Sequence, residues 1–363
     1  RELNQQIYTL EVGGDMANDL RDQRGVLVDR LSKIINIDVN EVVVGKLPNG
    51  EDNKHFVITV SGKALVNHLT VSELTVVQRD QKLNGEDIDR LYDVCWKDGN
   101  RLEIKGGELK GYIDIRDGNE GIDQGNGKSP NYKGIPYYVS RLNEFVRKFA
   151  LAFNEGITQS VNGWVKTYPG HADGFGLQKP GSAVSPTGIR FFSMEGWSSI
   201  ENKTTELTSE EFINGASTID EIVDRYSKLT AKNFSICGDL LKQYGEYNIA
   251  ASAEAGLNED NTNLLKFMDM WEDTHLFWEG TPEDYMKSLI ATLGIDSQQA
   301  GQISKSQNIL TSQIDNRRTS VSGVSINEEM ANLVKFQHAY NAAAKMISTM
   351  AQIYDTLINR VGV

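Results

Sequence analysis

The end of the chain constrains the fold most, because residues 325–363 carry one long apolar stripe at regular helical spacing. The stripe advances by alternating steps of four and three residues. Its positions are Ile326, Met330, Leu333, Gln337, Tyr340, Ala344, Ile347, Ala351, Tyr354, Ile358 and Val361. All but Gln337 are apolar or aromatic. A mean spacing of about 3.5 residues is typical of a helix that supercoils around a long partner.

The sequence also predicts where this terminal helix and the helix before it begin. Ser325 and Glu328 form a Ser-x-x-Glu capping box, which predicts a helix start. At about 1.5 Å per residue the helix would be roughly 50 Å long. Thr281 and Pro282 predict the start of the preceding helix. With a turn at 319–324 the two helices would form an antiparallel αα-hairpin.

The rest of the chain alternates between helical and strand-like periodicity. Two short helical stripes separated by Gly13 and Gly14 precede residue 35, and a strong helix is predicted over 138–153. Alternating apolar residues predict strands at 41–46, 55–61, 74–79, 91–97 and 101–105. We expect the last two to form a hairpin closed by Asp98-Gly99-Asn100.

These patterns predict an α+β multidomain protein. Its shape would be an elongated helical bundle or coiled-coil rod built from both chain ends, with β-rich units between them. Residues 1–159 and 259–324 are expected to form a helical core domain with a β-rich excursion at 38–105. Residues 160–258 would form a smaller, mostly β middle domain, and residues 325–363 the supercoiling C-terminal helix.

Composition narrows the classes of partner. The formal net charge of -13 argues against a nucleic-acid surface, because such surfaces need Lys and Arg to neutralise phosphates. We expect no membrane partner either, since the sequence has neither a basic run nor an apolar stretch long enough to span a bilayer. Cys95 and Cys237 lie too far apart in sequence to suggest a metal or disulfide pattern. The chain opens at Arg1 in helical sequence, so we expect a further segment upstream.

No pattern in the sequence predicts an enzyme, a cofactor or a metal site. The five histidines lack ligand spacing, and His171 beside Asp173 is typical of a glycine-rich turn. Asp117 opens a segment that resembles a calcium loop, but Ile122 and Lys128 stand where the loop needs Gly and Glu. We therefore predict no catalytic residues, no cofactor-binding residues and no metal ligands.

Several segments resemble the flagellar axial proteins. The C-terminal helix begins Ser-Gly-Val-Ser-Ile-Asn-Glu-Glu-Met-Ala-Asn-Leu-Val-Lys-Phe-Gln over 322–337, in the manner of that superfamily. Within it the chain most resembles the first of the two hook–filament junction proteins. The blocks that carry this resemblance are 18–24, 106–111, 285–295 and 316–318, while 354–359 also fits the superfamily as a whole. Together they cover most of the chain, and 160–258 is the least recognisable part.

The resemblance implies a structural protein that self-associates in a helical ring and contacts the hook protein and the second junction protein. It also implies an extracellular location in the bacterial flagellum. Such proteins leave the cell unfolded through the flagellar type III export apparatus without a cleaved signal peptide, and an export chaperone binds the C-terminal helix beforehand. The residues predicted to form the assembly and chaperone interface are Ile326, Met330, Leu333, Tyr340, Ile347, Tyr354, Ile358 and Val361.

The resemblance has one gap and leaves two alternatives. Axial proteins carry an N-terminal helix with an Ala-Asn-x-x-Thr-Pro-Gly-Tyr type signature, which would pair with the terminal helix but does not occur here. A hook, rod or second junction protein is one alternative. The other is an axial scaffold whose 160–258 segment binds a glycan or host surface through Trp164, Tyr168 and Trp197, although we expect most of these aromatic residues to be core.

Overall fold

The computed structural model describes residues 1–359 except 48, 49, 51, 124, 126, 199–215 and 217. The chain divides into two units, Arg1–Met286 and Lys287–Val363. The described α-helices are α1 Glu2–Val12, α2 Asn18–Ile34, α3 Glu108–Asp117, α4 Ile135–Glu155, α5 Ile219–Tyr226, α6 Gly238–Leu241, α7 Thr262–Trp271, α8 Pro282–Ser322 and α9 Ile326–Asn359. The described strands are β1 Asp38–Lys46, β2 Asp52–Val60, β3 Lys63–Asn67, β4 Thr70–Val71, β5 Leu74–Gln78, β6 Tyr92–Trp96, β7 Ile157–Ser160, β8 Gly163–Lys166, β9 Phe192–Met194 and β10 Phe234–Ile236. This mixture of helices and small antiparallel sheets confirms the predicted α+β class.

The first helices and the first sheet pack together. Strands β1 to β4 form an antiparallel sheet in chain order, with Val42 opposite His55 and an irregular register between Val43 and Gly45. Helix α1 lies against the turn after β3, where the Asn4 side-chain amide donates to the His68 carbonyl at 2.8 Å. The sequence prediction named β1 and β2 but missed β3 and β4, which are only five and two residues long.

The predicted hairpin over 91–105 is only half correct. The turn exists: Gly99 has a φ of +87°, and the Trp96 amide donates to the Asn100 carbonyl at 2.8 Å. Beyond Arg101, which forms an isolated bridge with Cys95, the chain leaves the sheet. The amides of residues 105 and 106 donate to the Asn36 side chain at 2.8 and 3.1 Å, so they do not form a strand ladder. Strand β6 pairs with β5 instead.

A buried ion cluster ties β5, β6 and α3 together. The Asp117 carboxylate is almost fully buried and accepts hydrogen bonds from Arg79 at 2.6 Å and Arg116 at 2.7 Å. Burial alone would raise the pKa of Asp117, but the bonds from Arg116 and Arg79 outweigh burial and lower it. Arg79 also donates to Asp93 at 2.8 Å. The two guanidinium groups therefore fix the position of Asp117, where the following loop begins.

Two glycines close that loop. The Gly134 amide donates to the Gly118 carbonyl at 3.0 Å. A Cβ atom at Gly118 would lie 2.3 Å from the Asp114 carbonyl oxygen, and one at Gly134 would lie 2.4 Å from that of Ile115. Only residues without a side chain fit this close approach of two backbones. The segment from Gly118 to Gly134 is therefore a loop with a fixed base.

Helix α4 is the centre of the first unit. Its predicted apolar stripe contributes Phe145, Phe149 and Phe153 to two hydrophobic clusters, one on the side of α5 and β9 and one on the side of α7. The helix ends at Gly156, which has a φ of +66°. These contacts confirm that the stripe over 138–153 is an intramolecular core.

The described part of 160–258 contains short strands and short helices alike. It packs on α4 through a cluster that contains Trp197 and Tyr226, which are 0% and 1% exposed. Tyr226 donates to the buried Glu155 carboxylate at 3.0 Å, and Arg190 donates to the same carboxylate at 2.8 Å. The boundaries proposed for a separate middle domain remain a prediction.

The second unit consists of two long helices. Helix α8 starts as predicted, with the Asp284 amide donating to the Thr281 hydroxyl at 3.2 Å. It runs four residues into the predicted turn and stops before Gly323, where a Cβ atom would lie 2.3 Å from the Thr319 carbonyl oxygen. Every described side chain from 297 to 358 is exposed. A packed αα-hairpin would bury an apolar seam between its helices, so the prediction of such a hairpin is wrong for this structure.

Candidate assembly surface

Helix α9 begins where the capping residues predict. The Glu328 amide donates to the Ser325 hydroxyl at 3.4 Å, and the Glu329 amide donates to the Ser325 carbonyl at 3.0 Å. The return bond of a full capping box, from the Ser325 amide to the Glu328 carboxylate, is absent between these two described residues. One half of the box therefore suffices to set the helix start.

The predicted interface residues form a row of exposed side chains along α9, which we call the seam. Its large members are Ile326, Met330, Leu333, Tyr340, Ile347, Tyr354 and Ile358, and each is between 62% and 77% exposed. The eighth predicted residue, Val361, lies outside the described residues. Burying one such side chain contributes about 1.5–3 kcal/mol. Because the seam repeats along the whole described helix, a long partner could recover much of that free energy.

A second apolar row, which the sequence prediction did not identify, runs beside the seam. Each of its positions precedes by one residue a position of the eleven-residue stripe to which the seam belongs. The second row consists of Phe336, Ala339, Ala343, Met346, Met350, Ile353 and Leu357. Its large members are between 53% and 69% exposed. The signal was present in the sequence as a repeat of the same period, displaced by one residue.

The two rows differ in where they begin. The seam starts at Ile326, whereas the second row starts at Phe336, because the corresponding earlier positions are the polar Glu329 and Asn332. With about 100° between successive residues, the two rows together cover roughly half of the helix circumference. A single supercoiled partner covers a narrower face than this. The geometry thus fits one neighbour near the start of α9 and more than one further along.

The start of the seam is shaped as a shallow hollow. Its wall is formed by Ile326, Met330, Leu333, Phe336 and Tyr340, and its volume is about 710 Å³. The side chains are apolar except for flanking amides and one carboxylate. Such a hollow suits the apolar face of another helix.

The remaining candidates do not form a chemical site. His171 is fully buried, and its Nδ1 donates to the Ile189 carbonyl at 2.7 Å while its Nε2 accepts from the Ala250 amide at 3.0 Å. Within the described residues, no three His, Cys, Asp or Glu side chains are grouped so that they could hold a metal ion. Where the structure describes the chain, no helix is long and apolar enough to cross a membrane.

The aromatic residues considered for glycan binding are buried or half-buried. Trp197 is 0% exposed, and Trp164 packs against the hydrophobic cluster that contains it. The Tyr168 hydroxyl donates to the Asp273 carboxylate at 2.5 Å. These three side chains therefore do not form the exposed stacking platform that carbohydrate recognition needs.

Comparison with known proteins identifies the class. Residues 1–164 match a family model described as the flagellar hook-associated protein FlgK helical domain. Residues 317–360, which include all of α9, match a model described as the flagellar basal body rod FlgEFG protein C-terminal. The two models together cover more than half of the chain. Both models describe proteins of the bacterial flagellum, so the class that the matches indicate is that of the flagellar rod and hook-associated proteins.

Similarity over the whole chain indicates which member of this class the protein resembles. The chain is 25% identical to flagellar hook-associated protein 1 of Bacillus subtilis, over 99% of this chain and 62% of that protein. It is 25% identical to the Escherichia coli protein of the same name, over 98% of this chain and 67% of that protein. The Salmonella typhimurium protein is 24% identical over 98% and 68%. The chain is similar to flagellar hook-associated protein 1 over nearly its whole length, and it spans about two thirds of the length of these curated relatives.

Proposed function

We propose that the chain is a structural, non-enzymatic subunit of the bacterial flagellum that forms the junction between hook and filament. The observation that carries this proposal is the exposed seam of α9, which lies within the segment that matches the rod-protein C-terminal model. An apolar row of this length stays in water only when a partner normally covers it. Because the matched models describe flagellar proteins, we expect that partner to be another flagellar subunit.

In this proposal the seam is the assembly surface. Copies of the chain associate in a helical ring through heterologous contacts, in which one surface meets a different surface of the neighbour. Helix α9 then becomes part of a coiled-coil rod, and the ring contacts the hook protein on one side and the second junction protein on the other. The second row supports this proposal, because a helix inside a ring has neighbours on more than one side.

Export precedes assembly in this proposal, which places the mature subunit outside the cell. The chain passes unfolded through the flagellar type III export apparatus without a cleaved signal peptide, and a chaperone covers the seam until then. Cys95 and Cys237 are both free thiols, so no disulfide obstructs passage of an extended chain. An exposed apolar helix also needs cover before assembly, since uncovered rows of this kind promote aggregation.

A different axial protein is the alternative within the same class. The C-terminal match alone fits that alternative, since its model is described by rod proteins. The match over residues 1–164, to a hook-associated helical domain, favours the junction protein. We therefore retain the junction role.

The test replaces Leu333, Ile347 and Ile358 together with Asp in the bacterium that makes the protein. Three charges on the seam should prevent burial of α9, so the cells should release their filaments and lose swimming motility. Electron microscopy should show hooks without filaments, and unfolding of the first unit should be unchanged by circular dichroism.

The matched control places three Asp residues on the polar side of the same helix, at Asn341, Ser348 and Thr356. Those positions belong to neither apolar row. The control strain should swim normally. Normal swimming of the seam variant, with filaments attached, would refute the proposed role of the seam.

A further inference from the structure

The first unit exposes one tryptophan almost completely. Trp278 is 98% exposed, while the other four tryptophans are at most 49% exposed or partly buried. A tryptophan side chain can bury about 150–250 Å² of surface in a contact. It is also among the residues that most often dominate the energy of protein interfaces. Trp278 is therefore a candidate anchor for a contact between this unit and another molecule.

The turn that carries Trp278 is held in place from both sides. Phe277 and Gly280 exchange backbone hydrogen bonds of 3.1 and 3.2 Å. The Phe277 ring is 3% exposed and stacks on Phe145 with ring centroids 5.3 Å apart. On the other side, Glu279 forms an ion pair with Arg141. The indole is thus presented on a fixed support, which lowers the entropy lost when it binds.

A cavity elsewhere on the same unit has the size and lining to receive an indole ring. It has a volume of about 380 Å³ and lies between β6, residues 101–104, α3 and residues 128–130. Its apolar lining comes from Val94, Leu102, Ile104, Ile113 and Pro130. Concave apolar sites of this size with a few polar groups are where side-chain anchors dock.

The charges around the cavity and around Trp278 are complementary. Arg101 and Lys128 line the cavity and form no ion pair with any described residue. The acidic groups Asp93 and Asp117 at its base are neutralised by Arg79 and Arg116. The segment 272–284 around Trp278 contains five Asp or Glu residues and neither Lys nor Arg. Glu103 also lines the cavity and Lys110 there pairs with Asp114, so the lining charges without an ion pair to a described residue are two cations and one carboxylate.

We propose that Trp278 of one copy docks into this cavity of a neighbouring copy. Arg101 and Lys128 would lie beside the indole face, where a cation is attracted by the ring, and beside the acidic groups of the incoming segment. The two surfaces differ, so the contact is heterologous and joins copies in series. This inference rests on the proposed self-association and names one of its contacts.

The first experiment locates the contact. The full chain is prepared with p-benzoylphenylalanine at position 278, mixed with ¹⁵N-labelled chain at a concentration where copies associate, and irradiated. We expect mixed-isotope adducts in peptides that contain residues 101–113 or 128–130. Intermolecular adducts confined to other peptides would overturn the proposal, and adducts on a different flagellar protein in cell extracts would assign the indole to that partner instead.

The second experiment measures the contribution of the indole. Trp278→Ala removes an exposed side chain and should leave folding intact, yet it should weaken self-association about 30-fold in sedimentation analysis. Arg101→Glu should weaken it as well. Val161→Ala, which truncates another fully exposed apolar side chain, is the control and should have no effect.

The outcomes separate the two proposals. If the chain associates and Trp278→Ala associates equally well, the docking contact is wrong and the assembly role stands. If the chain does not associate at any concentration, both proposals fail.

Discussion

At the scale of single residues, the structure gives roles that the sequence could not assign. His171 was expected in a turn, and it does begin a short 3₁₀ helix over 171–173. Its ring, however, is enclosed by Phe153, Phe191 and Phe267. A local pattern of Gly, His and Asp predicts a turn but carries no information about which distant rings surround it. Burial of this kind is decided by long-range packing.

The burial of His171 predicts that acid destabilises the first unit. Burial lowers the pKa of His171 in the folded state, so below about 6.5 the unfolded chain takes up a proton that the folded chain does not. The free energy of unfolding should therefore fall as pH falls below that value, by up to about 1.4 kcal/mol per pH unit for this group.

Urea unfolding at pH 7 and pH 5 checks this prediction. His171→Gln keeps an acceptor for the Ala250 amide but cannot titrate in this range, so it should lose less stability between the two pH values than the natural chain. Some dependence should remain, because burial also lowers the pKa of His68. Equal losses in both proteins would contradict the assigned role of His171.

At the scale of elements, periodicity predicted the long helices and missed what depends on pairing. The stripe over 138–153 and the start of α9 follow from local spacing and capping, and both are confirmed. The strand predicted over 101–105 is wrong because the chain leaves the sheet after Leu102, and Asn36, far away in sequence, binds the amides of Lys105 and Gly106. The spacing of the second row of α9 is also present in the sequence. The prediction missed it because the seam alone makes the helix amphipathic.

Two glycines should respond oppositely to replacement by Ala. Gly156→Ala would place a Cβ atom 1.8 Å from the Tyr168 carbonyl oxygen at a φ of +66°, so it should destabilise the first unit by several kcal/mol, roughly 3 or more. Gly25→Ala, inside α2 with nothing within 4 Å of the new atom, should stabilise it by about 0.5–1 kcal/mol. Thermal unfolding measures both changes. A neutral Gly156→Ala would mean that the backbone around Tyr168 yields easily.

At the scale of the whole molecule, the two units differ in how their side chains are buried. The first unit contains all three hydrophobic clusters found among the described residues. The second unit has exposed side chains throughout its described residues from 297 onward. Helices without tertiary packing are marginally stable in water. The sequence predicted this contrast in part, since it identified a helix that required a partner.

Amide hydrogen exchange should therefore separate the units in dilute solution. Amides of residues 300–355 should exchange at least about 100-fold faster than those in the middle of α4, because their local opening costs little free energy. Protection of α9 should rise when copies associate, while α4 should stay unchanged. Equal protection of α4 and α9 in the dilute monomer would show that α9 is stabilised without a partner.

The one-residue offset between the seam and the second row makes α9 unequally sensitive to changes in its length. Inserting one residue just before Phe336 turns the rest of the helix by about 100° and brings the second row into the angular place of the seam. Deleting one residue there brings His338, Asn341, Lys345, Ser348 and Asp355 to that place instead. One-residue insertions in this segment should therefore be tolerated, because an apolar row still faces the partner. One-residue deletions should not be tolerated, because they place polar side chains there.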